Sequence, residues 1–313
     1  MRNRSVSLSR RRLLQQALAL TLALGLKLPR VGRAERPQKI LRQIPASGES
    51  LPVIGMGTWL TFGIDPDDQG ALRTRTTILE TFFAQGGEVI DSSPMYGSAE
   101  EVVGKCLARL DLRPGLFAAT KVWTSGWRAG VRQMERSKLL WDVERFDLMQ
   151  VHNLLDWETH LATLKEWKAA GRIRYLGVTT SHGRRHSELG KIMETEQLDF
   201  VQLTYNLLDR EAEQRLLPLA KERGIAVLVN RPFQGGGLFR RFASKPLPEW
   251  ASEIDCDNWA QFFLKFIISH PAVTCAIPAT SKVAHMRENM GAGYGRLPDT
   301  KRRQQMLDYI RSL

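Results

Sequence analysis

The chain has 313 residues, 43% of them hydrophobic, and a formal charge of +12. The excess is local: residues 1–34 carry eight Lys and Arg and no Asp or Glu, so removing them from +12 leaves about +4. So small a balance gives little basis for nucleic-acid binding, and the basic clusters Gly183-Arg184-Arg185-His186 and Lys301-Arg302-Arg303 read as solvated helix faces. Three cysteines cannot all pair within one chain, and no CxxC or His-rich cluster suggests a metal; Cys106, Cys256 and Cys275 read as buried, inert thiols.

In chain order, Ser9-Arg10-Arg11-Arg12-Leu13-Leu14-Gln15 comes first, leading into an apolar stretch from Leu13 to Leu26 and then Gly32-Arg33-Ala34. A basic start, a short apolar middle and a closing small residue describe a cleavable export signal over residues 1–34, and the paired arginines describe the twin-arginine kind. The apolar stretch falls short of the roughly 20 residues of a membrane span. Twin-arginine translocase would then be a transient partner, and the product periplasmic or otherwise exported.

From residue 35 onward, eight short apolar runs read as strands: Leu51–Met56, Val89–Asp91, Leu116–Lys121, Phe146–His152, Arg174–Val178, Phe200–Leu203, Ile225–Val229 and Val273–Pro278. Helical spacing separates them. Trp157, Leu161, Leu164 and Trp167 repeat at three and four, with Asp156 as expected N-cap and Gly171 as stop. Strand–helix alternation of this kind predicts a parallel sheet, and eight pairs predict a single-domain (β/α)8 TIM barrel over residues 35–313, an architecture that commonly spends about 250 residues on one core. The rival open dinucleotide-binding sheet would show GxGxxG after its first strand, but Gly55-Met56-Gly57-Thr58-Trp59 lacks the third glycine. Two longer connections interrupt the rhythm: 233–252, a candidate flap over a ligand, and the tail after Met290.

Residues able to do proton chemistry end three consecutive strands. Asp91, Lys121 and His152 are spaced by 30 and 31 residues, and Tyr96 lies five beyond Asp91. A strand plus its return helix takes about that length, so all four belong at the C-terminal mouth, where such barrels keep their active sites. There a tyrosine can protonate a carbonyl oxygen, a lysine can lower the phenol pKa from about 10, an aspartate can hold the lysine charged, and a histidine can orient the carbonyl.

The segment Val89-Ile90-Asp91-Ser92-Ser93-Pro94-Met95-Tyr96-Gly97-Ser98-Ala99-Glu100, followed by Ala119-Thr120-Lys121 and Gln150-Val151-His152, resembles the signature of the aldo/keto reductases, and the likeness runs from about Ile44 to the C-terminus. The resemblance implies hydride transfer between a nicotinamide cofactor and a small carbonyl or alcohol, with Tyr96 as general acid, Lys121 and Asp91 tuning it and His152 steering the carbonyl. It also implies cofactor contacts: Gln202, Thr179-Thr180 in place of the usual Ser-Asn, Lys282 for the 2'-phosphate of NADP(H), and Glu288-Asn289 for adenine. NADP(H) is favoured over NAD(H), although His285 stands where many members have arginine. Asn230-Arg231-Pro232-Phe233 departs from the pattern, since an aromatic that stacks on nicotinamide is expected in place of Asn230. Gly235-Gly236-Gly237 is a candidate to cross the cofactor's pyrophosphate, and Trp59, Phe62, Trp123 and Trp127 are candidate walls of a substrate pocket. A second class of function stays open beside the enzyme: an exported reductase-like binding or regulatory module with little turnover. A third, a metal-dependent lyase or isomerase, finds no ligand cluster.

Overall fold

The computed structural model describes residues 38–110 and 115–313; the export signal expected over 1–34 lies outside the described residues. A hairpin opens the chain, β1 (Leu41–Gln43) against β2 (Ser50–Pro52). Eight parallel strands follow: β3 (Met56–Gly57), β4 (Val89–Asp91), β5 (Phe117–Val122), β6 (Phe146–Val151), β7 (Ile173–Thr179), β8 (Phe200–Thr204), β9 (Ala226–Asn230) and β10 (Cys275–Ala276). Each pairs with its sequence neighbour, and bridges Ile54↔Ala276 and Gly57↔Ala279 join the first to the last, closing the barrel. Closure explains a glycine: a Cβ on Gly57 would lie 2.9 Å from the Ile277 carbonyl oxygen.

The expected first strand, Leu51–Met56, is two elements. Leu51 belongs to the hairpin and Met56 to the barrel, with Val53–Gly55 turning between them. Local hydrophobicity is the same in both, so the break is set by tertiary pairing.

Outside the barrel run α1 (Gln69–Ala84), α2 (Ala99–Leu107), α3 (Trp127–Trp141), α4 (Trp157–Ala169), α5 (His186–Thr195), α6 (Leu216–Arg223), α7 (Gly237–Phe242), α8 (Trp259–Ile268), α9 (Val283–Gly291) and α10 (Thr300–Ser312). Helix α1 begins where the Asp68 carboxylate accepts the Gly70 and Ala71 amides, and it buries Leu72, Leu79, Phe82 and Phe83. Asp156 precedes α4 as expected but does not cap it: its carboxylate accepts from the Gly126 amide (2.7 Å) and the Thr159 hydroxyl (2.8 Å). Gly171, at φ 71°, follows the end of α4 as the expected stop. The tail after Met290 is an ordered helix, α10, capped by Asp299 and docked through Met306, Leu307 and Ile310. Among the described residues, no helix is long and apolar enough to cross a membrane.

Two hydrophobic clusters divide the interior. One fills the layer between strands and helices; the other is the barrel's own lumen, with Val89, Phe117, Ala119, Leu148, Tyr175, Phe200, Ala226, Leu228, Cys275 and Ile277, plugged from the N-terminal side by Ile44 and Leu51 of the hairpin. Tyr175 stacks on Phe117 with centroids 5.9 Å apart, and its hydroxyl reaches Ser47 of the hairpin at 2.7 Å. The three cysteines are buried and unpaired, and burial pushes their thiols up, Cys256 to about 12.

Candidate active site

Strand alternation carries the lumen from apolar to polar. Val89 and Asp91 share a face, as do Phe117, Ala119 and Lys121, Leu148 and Gln150, Phe200 and Gln202, and Leu228 and Asn230. The apolar members pack the barrel floor, and the polar members form a layer at its C-terminal mouth. Register places Lys121 beside Gln150, Thr179 beside Gln202 and Thr204 beside Asn230.

Lys121 is fully buried, and its ammonium donates to Asp91 Oδ2 at 2.5 Å and to the Ser92 carbonyl at 2.7 Å. Burial pulls this amine down, but the Asp91 carboxylate and the nearby phenol outweigh it and hold the ammonium above its ordinary range. The other Asp91 oxygen accepts from the Gln150 and Gln202 amides at 3.0 and 2.9 Å. The carboxylate is therefore satisfied on both sides, as a buried charge must be.

Tyr96 ends a 3-10 turn, Pro94–Tyr96, that Ser93 caps by accepting the Met95 amide. Its ring lies 5.3 Å from the Lys121 ammonium and packs edge-on against His152, with centroids 5.6 Å apart at 86°. Burial raises the phenol above its usual value while Lys121 pulls it back, leaving a protonated hydroxyl at neutral pH. His152, at the end of β6, bonds Ser93 Oγ through Nδ1 at 2.8 Å. Burial and the Lys121 charge lower its pKa to about 2, so the imidazole is neutral.

Asp91, Tyr96, His152, Thr179, Thr180, Gln202 and Asn230 all line one cleft of about 300 Å³, with Lys121 directly beneath. Trp59, Leu60, Met95, Ile277 and Ala279 line it as well. Of the four candidate wall aromatics, Trp59 lines it; Phe62 is buried in the core, where the layer between strands and helices needs its volume, and Trp123 and Trp127 are exposed elsewhere. Lys282, Glu288 and Asn289 lie beyond it: Lys282 is exposed at the start of α9, while Asn289 is buried within that helix.

The Thr180 hydroxyl is buried in the cleft wall without a hydrogen-bond partner. An orphaned polar group in an otherwise satisfied layer fits a ligand amide or hydroxyl. Asn230 fills the position of the expected aromatic with a polar bridge, its amide donating to the Thr180 carbonyl (2.8 Å) and its oxygen accepting from Thr204 (2.6 Å). Phe233 lines the cleft, and Gly235 and Gly236, both at positive φ, put bare backbone on its wall; further along the segment run α7 and a 3-10 turn, Glu249–Ile254. Ser93 and Gln150 are site residues the sequence did not single out. The signal was present: each lies two positions from a singled-out residue, Asp91 and His152, and Gln150 shares its strand face with Leu148.

A parallel eight-stranded barrel with an ion-paired lysine, a tyrosine and a neutral histidine at its C-terminal mouth defines a class of barrel enzymes. The aldo/keto reductase family profile matches residues 53–304, and the chain belongs to that family. It is 30% identical over 205 residues to the aldo-keto reductase YhdN of Bacillus subtilis, covering 59% of this chain and 60% of that one, and so spans less than two thirds of that relative. It is 29% identical over 233 residues to an NADH-specific methylglyoxal reductase of Escherichia coli, covering 63% and 68%. An aldo/keto reductase structure from Klebsiella pneumoniae, in complex with NADP and acetate, superposes with a TM-score of 0.71 at 25% identity, covering 84% of this chain and 92% of that one.

Proposed function

We propose that this protein transfers hydride between NADP(H) and a small carbonyl or alcohol. The observation that carries the reading is the buried Lys121–Asp91 pair set 5.3 Å from the ring of a phenol that opens onto the cleft. Bound nicotinamide would supply the hydride, and the chain supplies position and a proton. Tyr96 holds that proton at its hydroxyl, and the Lys121 ammonium stabilises the phenolate left when the proton moves to the carbonyl oxygen. Asp91 keeps Lys121 charged and aimed, and Gln150 and Gln202 keep Asp91 in place. In this reading the Ser93 hydroxyl, whose oxygen accepts the Met95 amide, donates its hydrogen to His152 Nδ1, 2.8 Å away. That arrangement leaves Nε2 bearing hydrogen, a donor that fixes the carbonyl without competing as an acid.

Thr179, Thr180, Gln202 and Asn230 would hold the nicotinamide end; Lys282, Glu288 and Asn289 would hold the adenosine end, with Lys282 receiving the 2'-phosphate. The reading of NADP(H) over NAD(H) rests on that lysine at the start of α9. Residues 1–34 would direct export by the twin-arginine route and be removed, which N-terminal sequencing of the exported protein tests.

The activity is tested by following NADPH absorbance with the purified protein and a panel of aldehydes, quinones and ketones. Turnover with at least one carbonyl, absent without it, is expected. Tight NADPH binding with no turnover on any of them would refute the proposal.

A further inference from the structure

Arg231 follows β9 with φ at +51°, a conformation that L side chains rarely adopt, immediately before Pro232. The loop is held there by its own polar groups: the Arg231 carbonyl accepts from the Asn206 side chain at 3.1 Å and the Gln234 amide at 2.9 Å. Arg231 lines the cleft, its guanidinium 5.9 Å from the centre of the Trp59 ring. It makes no ion pair or hydrogen bond among the described residues. The neighbouring carboxylate, Asp209, is held by amides instead, Asn206 Nδ2 at 2.8 Å and Gln234 Nε2 at 3.2 Å.

The guanidinium lies over the Trp59 face with both terminal nitrogens beside Gly235 and unpaired, and such a fork matches a carboxylate in two parallel hydrogen bonds. Strained backbone, half-burial and an unused fork together describe a group prepared for a ligand. We propose that Arg231 receives the carboxylate of an anionic carbonyl substrate, an oxo acid or an aldehyde bearing a remote carboxyl group. The proposal rests on the reading of the cleft as a carbonyl-reducing site: with the carbonyl at Tyr96 and His152, the substrate's far end extends along Trp59 toward Arg231.

Equilibrium binding tests this without turnover. The NADPH complex is titrated with benzoate and with benzamide, its neutral counterpart, by tryptophan fluorescence. Benzoate is expected to bind at least tenfold tighter, and Arg231→Leu to remove the difference; Arg231→Lys, which keeps charge but loses the fork, should fall between. In turnover, the KM of Arg231→Leu for 4-carboxybenzaldehyde should rise at least tenfold relative to its KM for benzaldehyde. Equal binding of benzoate and benzamide by the parent would overturn the proposal. So would an Arg231→Leu variant whose main loss is tenfold weaker NADPH binding, which would assign the guanidinium to the cofactor's diphosphate. Failure of the parent to reduce either aldehyde would count against the redox reading, while the benzoate preference still decides the role of Arg231.

Discussion

Replacing Lys121 by methionine separates the two roles proposed for its ammonium. The first is electrostatic. At 5.3 Å from the Tyr96 ring, a unit charge at an effective dielectric of about 20 is worth about 3 kcal/mol to a phenolate, or about two pKa units. Loss of that charge should move the alkaline limb of kcat/KM for reduction upward by about two units, because the phenol then holds its proton to higher pH. The plateau should fall by about tenfold to a hundredfold, since the acid is weaker. The second role is structural. Asp91 would keep only the Gln150 and Gln202 amides, and breaking one side of a buried pair typically costs about 3–5 kcal/mol. Urea unfolding should show that loss in Lys121→Met and recovery of most of it in Asp91→Asn/Lys121→Met, whose reduction rate stays low. A single variant with an unmoved alkaline limb, or a double variant no more stable than the single, would refute the reasoning.

Other consequences follow from the same geometry. Ser93→Ala should lower kcat about tenfold with NADPH affinity unchanged, and nitrogen NMR should show the His152 tautomer change from one form to a mixture. His152 should make the fold acid-sensitive. Its pKa is about 2 folded against about 6.5 unfolded, so as pH falls below 6.5 the unfolded chain takes up a proton that the folded chain refuses. Between about pH 7.5 and pH 5, urea unfolding should register about 2 kcal/mol less acid destabilisation in His152→Gln than in the parent. Lys282→Glu should shift the NADPH-to-NADH preference at least tenfold toward NADH, read as the ratio of dissociation constants.

Strand spacing made the barrel and the Asp91, Lys121 and His152 positions legible, because a strand and its return helix fix the interval between successive C-terminal ends. The structure adds what depends on register between strands. Gln150 on β6 reaches Asp91 on β4, two strands away, because β5 pairs with both and the two side chains point into the lumen, and Asn230 bridges Thr180 and Thr204 because β9 lies beside β8. The hairpin that splits Leu51 from Met56 escaped for a related reason: plugging the barrel floor and building its first strand both demand apolar residues. The aromatic wall failed on direction, since the sequence places Phe62, Trp123 and Trp127 near strand ends but does not say which way a loop side chain turns. Ser93 was within reach, two residues beyond Asp91, but only the 2.8 Å contact with His152 gives its hydroxyl a purpose.

Whether the Tyr96 hydroxyl delivers the proton is decided by single-turnover reduction with Tyr96→Phe, measured alongside its NADPH dissociation constant. A rate at least about a hundredfold below the parent's is expected, with cofactor affinity nearly unchanged. A phenylalanine variant that reduces the carbonyl at close to the parental rate would contradict it.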